Sequence, residues 1–393
     1  MTYDFTSFVD RKGTGSNKWE LMYDWNDEVA DGVLPLSVAD MEIKSAPEIY
    51  EGLMDYLKEE PVLGYTSVTD RYLEAVVEWM ARRHDWRIEK EWLVNTPGVV
   101  AAIHAAIRAF SQEDDGVIIF KPVYYPFMQT IEENNRRLVN VPLKEEDDYY
   151  TVDFAAFEKE ARKSENKVLL FCSPHNPVGR VWTEEELTQI ADIAVANDLI
   201  VISDEVWFDL VQPNQTHTVL HKVNKDLQDR LITCTSASKT FNLAGISTSN
   251  IIIPNEKMRE TFTAEINGAH LSSVNIFGYE ATRIAYTEAE AWLDELNEFI
   301  YGNQQFVHDF FEAHYPEIKA PVSEGTYVQW LDFRALGMDD LELDDFLHKH
   351  QFFPNPGYMF GKEGSGFARI NVALPKENLE KALNHLLTGL ENR

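Results

Sequence analysis

One lysine lies in a segment that combines an amine with several hydroxyl groups. Lys239 is flanked by Ser236 and Ser238 in the sequence SASKTFN (236–242), directly after an apolar run. A lysine amine can form a Schiff base with an aldehyde if its surroundings lower its pKa. Because a lone lysine is most often a solvated surface charge, this interpretation depends on the other residues at the same edge of the fold.

Other segments supply groups that would complement such an amine. Asp204 ends a second apolar run, where a carboxylate suits a protonated ring nitrogen, and Tyr124 and Tyr125 follow a third run and offer an aromatic face for stacking. Gly98 precedes a predicted helix, whose free N–H groups would attract a phosphate. Pyridoxal 5'-phosphate needs all four at once, because it carries an aldehyde, a pyridine nitrogen, a flat ring and a phosphate.

The elements that would position these residues alternate in type along the middle of the chain. Short apolar runs rich in β-branched residues lie at 117–120, 138–143, 168–173, 199–203, 231–236 and 250–253. Helix-period segments separate them, including 99–110 and a helix that opens with a capping box at Thr183 and Glu186. The pattern predicts an α/β fold with a mainly parallel sheet sandwiched by helices, and ligands bind beyond the carboxyl ends of such strands.

The pattern changes after about residue 287. A long polar helix is followed by a strand at 327–333, a helix at 342–350, a loop rich in proline and glycine, and a final strand and helix. We therefore expect a large cofactor-binding domain over residues 46–287 and a smaller α+β domain formed by 1–45 and 288–393.

Composition excludes several classes of function. The formal net charge of −31 disfavours nucleic-acid binding, and acidic segments such as 144–150 are predicted to be solvated loops or helix faces. The cysteines, Cys172 and Cys234, lie in apolar runs and are predicted to be core residues. The sequence contains no HExxH, CxxC, P-loop or dinucleotide-binding motif, so no metal is expected. With no signal peptide and no apolar run of about 18 residues, we expect a cytoplasmic protein that does not enter membranes.

Eight segments together resemble the fold-type I pyridoxal-phosphate enzymes of the class I/II aminotransferase superfamily. Within that superfamily the chain is most similar to the MalY-like cystathionine β-lyase/C–S lyase group. The matching segments are VADMEI (38–43), GYT (64–66), PGVV (97–100), PVYYPF (122–127), SPHNPVGRVWT (173–183), DEVWFD (204–209), SASKTFNLAG (236–245) and GSGFARINVA (364–373). Their common order along nearly the whole chain makes the resemblance specific, although each alone would be weak.

The resemblance implies a role for each matching residue. Lys239 would form the Schiff base and move the proton, Asp204 would pair with the ring nitrogen, and Asn176 would donate to the ring oxygen. Tyr124, with Tyr125 as the competing candidate, would stack on one face of the ring. The remaining cofactor-binding residues implied are Gly98, Val99, Val100, Ser236 and Ser238 at the phosphate, and Val206 and Trp207 at the ring.

Three further residues are implied at the substrate or across a subunit interface. Arg369 would bind the substrate carboxylate with its planar guanidinium, together with Asn176 and Ala39. Tyr65 resembles a catalytic-site tyrosine that reaches the phosphate of the partner subunit. The resemblance therefore implies a homodimer with shared active sites and a small amino-acid substrate.

Two positions depart from the aminotransferase pattern. Trp207 stands where aminotransferases usually have a tyrosine, and Ser247 stands where they usually have an arginine that binds the phosphate. Loss of that arginine favours the lyase group. An indole N–H can donate to the ring oxygen but cannot accept a proton, and its bulk would narrow the substrate pocket.

The favoured expectation is β-elimination from cystathionine or another S-substituted L-cysteine, which yields a thiol, pyruvate and ammonia. Transamination of amino acids is the alternative, since it shares every step up to removal of the Cα proton. A regulatory protein-binding role, known among MalY-like proteins, is a remote third alternative that nothing else in the sequence supports.

Overall fold

The computed structural model describes residues 2–393. The strands are β1 Leu93–Thr96, β2 Gly116–Ile119, β3 Arg137–Asn140, β4 Lys144–Glu146, β5 Tyr149–Thr151, β6 Asn166–Cys172, β7 Ile200–Asp204, β8 Leu231–Thr235, β9 Ser249–Ile252, β10 Val328–Asp332, β11 Asn355–Pro356 and β12 Phe367–Asn371. The helices are α1 Asn17–Trp25, α2 Pro47–Glu59, α3 Asp70–His84, α4 Val99–Phe110, α5 Pro126–Glu133, α6 Phe154–Ala161, α7 Glu184–Ala196, α8 Ala237–Thr240, α9 Glu256–Gly268, α10 Ile276–Glu288, α11 Glu290–His314, α12 Asp340–Lys349 and α13 Lys376–Glu391.

The large sheet has seven strands in the order β1-β9-β8-β7-β6-β2-β3. The five strands β8, β7, β6, β2 and β3 run parallel to one another, whereas β9 pairs antiparallel with both β8 and β1. The expected α/β class with a mainly parallel sheet is confirmed. The sequence prediction missed β1, because this strand is short and only partly buried.

Helices cover both faces of this sheet, as the apolar strands require. In β2, Val117 and Ile119 pack with residues of α4, whereas Ile118 points to the other face and packs with residues of α7. Successive side chains of a strand alternate between faces, so a strand buried on both sides must be apolar throughout. The predicted helix 99–110 is α4, and α7 begins with the predicted Thr183–Glu186 capping box.

A smaller sheet with the order β10-β12-β11 is antiparallel throughout. Its core also includes side chains from the first residues of the chain, such as Phe5 and Trp19, and from α13, such as Leu383. The proposed domain boundaries at 45/46 and 287/288 remain a prediction.

One local prediction was wrong. Residues 144–151 do not form a loop or a helix face but the exposed hairpin of β4 and β5, in which Tyr150 is buried on one side. Charged side chains are compatible with a strand that faces water, and the buried tyrosine supplies the alternation.

Among the helices of residues 2–393, none is long and apolar enough to cross a membrane.

Candidate active site

A cavity of about 160 Å³ lies beyond the carboxyl ends of β6, β7 and β8. Twelve of the predicted site residues line it: Ala39, Gly98, Val99, Val100, Tyr124, Asn176, Asp204, Val206, Trp207, Ser236, Ser238 and Lys239. Tyr124 lines the cavity, whereas Tyr125 packs toward Phe360 with 6.2 Å between the ring centroids. The remaining two predicted residues, Arg369 and Tyr65, are not part of the lining.

Lys239 lies on α8, the short helix that follows β8. Its Nζ atom donates a 2.8 Å hydrogen bond to the carbonyl oxygen of Ala39 and lies 5.6 Å from the centre of the Trp207 ring. Burial, together with the nearby Arg369, lowers the pKa of Lys239 to about 8, whereas Asp40 and Asp204 oppose the shift. An appreciable fraction of the amine is therefore neutral, and nucleophilic, at mildly alkaline pH.

Asp204 is the last residue of β7 and is almost fully buried. Its Oδ1 atom accepts a 3.2 Å hydrogen bond from the backbone N–H of Val206. Burial raises the pKa of this carboxyl to about 7, although Val206 and Lys239 act in the opposite direction. Within residues 2–393 no lysine, arginine or histidine lies within 4 Å of the carboxylate, which leaves it available to a cationic group that enters the cavity.

The N-terminus of α4 forms another wall of the cavity. Gly98 precedes the helix with φ of 123°, and a Cβ atom at this position would meet no other atom within 4 Å. The requirement for glycine is therefore conformational rather than steric. Val99 and Val100 line the cavity at the start of the helix, where the first N–H groups have no intrahelical acceptors.

Ser236, one of the two serines near Lys239, makes two hydrogen bonds with its hydroxyl group. The Ser236 hydroxyl donates to the carbonyl oxygen of Thr248 at 2.6 Å and accepts from the backbone N–H of Ser238 at 3.0 Å. It therefore caps α8 as well as lining the cavity.

Ser247, which also lines the cavity, occupies the left-handed region with φ of 53°. In the described part of the chain, Lys239 is the only lysine or arginine in the lining.

Arg369 lies on β12 behind Asn176 and is buried. Its Nη1 atom donates to Oδ1 of Asn176 at 2.9 Å, and its Nη2 atom donates to Oδ1 of Asn355 at 2.6 Å. The Nε atom is buried and has no hydrogen-bond partner. Burial lowers the pKa of Arg369 to about 10, so the guanidinium stays charged at neutral pH.

Tyr65 differs from the cavity residues in its exposure to solvent. Its side chain is fully exposed, in a segment between α2 and α3 that also exposes Val62 and Leu63. Tyr65 is therefore not among the residues that line the cavity in this chain.

Sequence reasoning missed several lining residues, namely Pro97, Cys172, Ala244 and Thr248. Cys172 is buried as expected, but at the end of β6 it also borders the cavity. A signal was available for two of them, because Pro97 directly follows β1 and Cys172 ends β6. Ala244 and Thr248 lie in the segment between α8 and β9, where the sequence pattern gave no such signal.

Comparisons with known proteins agree with this geometry. The family model "Aminotransferase class I and II" matches residues 32–386. Cystathionine beta-lyase PatB of Bacillus subtilis is 34% identical, with 98% of this chain and 100% of that protein covered. Protein MalY of Escherichia coli is also 34% identical, with 99% of each chain covered.

Solved structures give the same result. The crystal structure of cystalysin from Treponema denticola, which contains pyridoxal 5'-phosphate, superposes with a TM-score of 0.98 at 49% identity and covers 100% of both chains. The pyridoxal-phosphate-bound C–S lyase from Staphylococcus hominis superposes with a TM-score of 0.92 at 31% identity, with 99% of this chain and 98% of that chain covered. By the extent of the family match and by these full-length relatives, the chain belongs to the class I and II aminotransferase family.

Proposed function

We propose that this protein is a pyridoxal-5'-phosphate-dependent C–S β-lyase, which cleaves cystathionine or other S-substituted L-cysteines to a thiol, pyruvate and ammonia. The observation that carries the proposal is the shared cavity of Lys239 and Asp204: a partly buried amine with a lowered pKa shares this cavity with a buried carboxylate that has no cationic partner among residues 2–393. The full-length similarity to C–S lyases supports the choice of elimination.

The residues present fit the cofactor. Asp204 would hold the protonated ring nitrogen, Tyr124 and Val206 would contact the two ring faces, and Asn176 and Trp207 would donate to the ring oxygen. The phosphate would lie on the N–H groups at the start of α4 and near Ser238. When bound, pyridoxal 5'-phosphate supplies an electron sink that stabilises negative charge at Cα of an amino acid.

Arg369 would bind the substrate carboxylate through its unpartnered Nε atom, once the carboxylate enters beside Asn176. Lys239, freed from the cofactor, would then remove the Cα proton, because its neutral form is accessible near its pKa of about 8. Loss of the thiolate from Cβ and hydrolysis of the remaining fragment give pyruvate and ammonia.

A homodimer and a cytoplasmic location are part of the proposal. The exposed side chains of Tyr65, Val62 and Leu63 form an apolar segment that a second copy of the chain would cover. In such a dimer Tyr65 would reach the phosphate of the neighbouring site. The buried free thiols of Cys172 and Cys234 fit a reducing compartment.

The decisive experiment measures products from L-cystathionine in the presence of pyridoxal 5'-phosphate. We expect equal amounts of pyruvate and thiol, with no need for an added keto acid. Keto-acid-dependent turnover without release of thiol would select transamination instead. The Lys239→Ala variant should lose elimination and the absorbance near ~420 nm that a lysine-bound cofactor gives, and undiminished turnover in this variant would refute the role of Lys239.

A further inference from the structure

Residues 38–40 form a short backbone segment, here called the 38–40 strap, that lies outside any helix or strand and lines the cavity at Ala39. Val38 has φ of 47°, which is unfavourable for a β-branched residue and persists only where the surroundings enforce it. The strap is thus a segment whose conformation the rest of the protein dictates.

Side chains from distant parts of the chain enforce this conformation. Asn371, on β12, donates from Nδ2 to the carbonyl oxygens of Val38 at 2.9 Å and Asp40 at 2.6 Å. The buried ammonium of Lys18 also donates to the Asp40 carbonyl, at 2.9 Å. These bonds replace the pairing that a strand would provide for the backbone.

The middle carbonyl of the strap has a different partner. The carbonyl oxygen of Ala39 accepts from Nζ of Lys239 at 2.8 Å and from the hydroxyl of Tyr327 at 2.7 Å. Tyr327 is fully buried, and burial raises its pKa well above the ordinary value, so the hydroxyl stays protonated and remains a donor. Its ring packs edge to face on Trp207, with centroids 4.7 Å apart.

Asn355 links the strap to Arg369, the proposed carboxylate-binding residue. The backbone N–H of Val38 donates at 2.9 Å to Oδ1 of Asn355, the same atom that accepts from Nη2 of Arg369 at 2.6 Å. One acceptor therefore connects the strap to Arg369, while the next residue of the strap holds Lys239.

We propose that the Ala39 carbonyl is the docking point of the Lys239 amine whenever that amine is not bonded to the cofactor, and that Tyr327 is the positioning residue that holds this carbonyl in place. The proposal deepens the proposed function and rests on it in one respect, namely that Lys239 alternates between a bonded and a free state. In the free state the hydrogen bond would limit the motion of a long, flexible side chain and keep its nitrogen beside the substrate.

The electrostatic setting of Lys239 determines how the docking point can be detected. The charged groups that face the amine are Arg369 from β12, Asp204 from β7, and Asp40 and Lys18 from the N-terminal part of the chain. Against this background a carbonyl acceptor favours the ammonium form of Lys239, because it accepts a charge-assisted hydrogen bond. If the carbonyl moves away, the pKa of Lys239 should fall further.

The test compares Tyr327→Phe with the control Tyr150→Phe in the full chain. Both changes remove a buried tyrosine hydroxyl, but within residues 2–393 that of Tyr150 accepts a hydrogen bond from the indole of Trp330, at 3.2 Å, and makes none with the strap. Trace acetylation of the cofactor-free protein at a series of pH values, with quantitation of the Lys239 peptide by mass spectrometry, gives the pKa of this amine. We expect the midpoint to move to lower pH by about half a unit in Tyr327→Phe and not in Tyr150→Phe.

The cofactor-loaded proteins provide a second measurement. For Tyr327→Phe we expect kcat for elimination to fall about fivefold with KM nearly unchanged, the effect of losing one ordinary hydrogen bond after substrate has bound. Val38→Gly relaxes the strained backbone and leaves the hydroxyl groups of Tyr327 and Tyr150 in place. It should also move the acetylation midpoint of Lys239 to lower pH.

An unchanged Lys239 midpoint in both Tyr327→Phe and Val38→Gly would overturn the proposal. Loss of thermal stability in Tyr327→Phe without a shifted midpoint would likewise reduce Tyr327 to a packing role. These outcomes are separate from the fate of the proposed function, because the acetylation profile needs neither cofactor nor substrate, whereas the proposed function fails if the wild type releases no pyruvate.

Discussion

Arg369 fixes the orientation of the Asn176 amide. Its Nη1 atom lies 2.9 Å from Oδ1 of Asn176, so the oxygen of that amide is occupied and the Nδ2 donor is the end left for the cavity. A residue of the small sheet thereby decides which group of Asn176 a ligand meets beyond β6. The proposed carboxylate-binding and ring-oxygen-binding residues are one hydrogen-bonded unit.

This relationship predicts that Arg369→Lys is not a conservative change. A lysine cannot donate to Asn176 and Asn355 at once with the planar fork of a guanidinium, and it offers no bidentate contact to a carboxylate. We expect KM for cystathionine to rise about tenfold or more and the absorbance maximum of the substrate-free holoprotein to shift as Asn176 turns. Steady-state kinetics and absorption spectra test both, and an unchanged KM would remove Arg369 from the substrate site.

The raised pKa of Asp204 predicts a pH-dependent stability of the cofactor-free protein. A carboxyl whose pKa in the folded state is about 7, against 3.8 when unfolded, favours folding in its protonated form. This contribution is fully present below about pH 4 and is lost as the pH rises through about 7. The thermal midpoint of Asp204→Asn should therefore exceed that of the wild type at pH 8, and the gap should close toward pH 5.

The control for this experiment is the protein loaded with pyridoxal 5'-phosphate. Asparagine cannot pair with a protonated ring nitrogen, so Asp204→Asn should bind pyridoxal 5'-phosphate more weakly and lose most of its elimination activity. A difference between the two thermal midpoints that does not vary with pH would mean that Asp204 is ionised at all pH values tested and is paired with a group other than the cofactor.

Ser247 offers a test of how the phosphate is held. It lines the cavity, its left-handed backbone is already accepted by a non-glycine residue, and Lys239 is the only basic side chain in the lining within residues 2–393. Ser247→Arg should lower the Kd for pyridoxal 5'-phosphate by about tenfold, which corresponds to ~1.4 kcal/mol, since a charged hydrogen bond contributes roughly 1.5–3 kcal/mol. Titration of the apoprotein at two salt concentrations measures this, and the gain should shrink at high salt.

Unchanged affinity in a folded Ser247→Arg variant would place the phosphate elsewhere or assign its charge to another cation. Ser247→Gln serves as the matched control, because it adds a comparable length of side chain without the charge.

The exposed Tyr65 predicts activity in mixed dimers. Lys239→Ala and Tyr65→Phe homodimers should each be impaired, but after subunit exchange a hybrid contains one site with both residues intact. We expect elimination activity to approach one quarter of the wild-type level at equal mixing, because half of the dimers are hybrids and each has one intact site of two. Activity no greater than the average of the parents would argue that Tyr65 does not serve the neighbouring site.

The sequence by itself determined the fold class and most of the cavity. Short apolar runs rich in β-branched residues, such as 199–203, predict strands covered on both faces, and the carboxyl ends of parallel strands meet at one edge. Asp204 and Lys239 therefore had to converge once the strands were recognised. The sequence also predicted local features correctly, namely the capping box of α7 and the glycine that precedes α4.

The tertiary structure alone decided the contacts made by irregular segments. Nothing in the sequence near Ala39 indicates that its carbonyl meets Lys239, or that Tyr327 shares that carbonyl from 288 residues away. Hydrophobic periodicity reports which face of a helix or strand is buried, but a segment such as the 38–40 strap has no period. Its conformation, like the partnership of Arg369 with Asn176, depends on hydrogen bonds between distant side chains and backbone, which exist only after the two sheets have packed together.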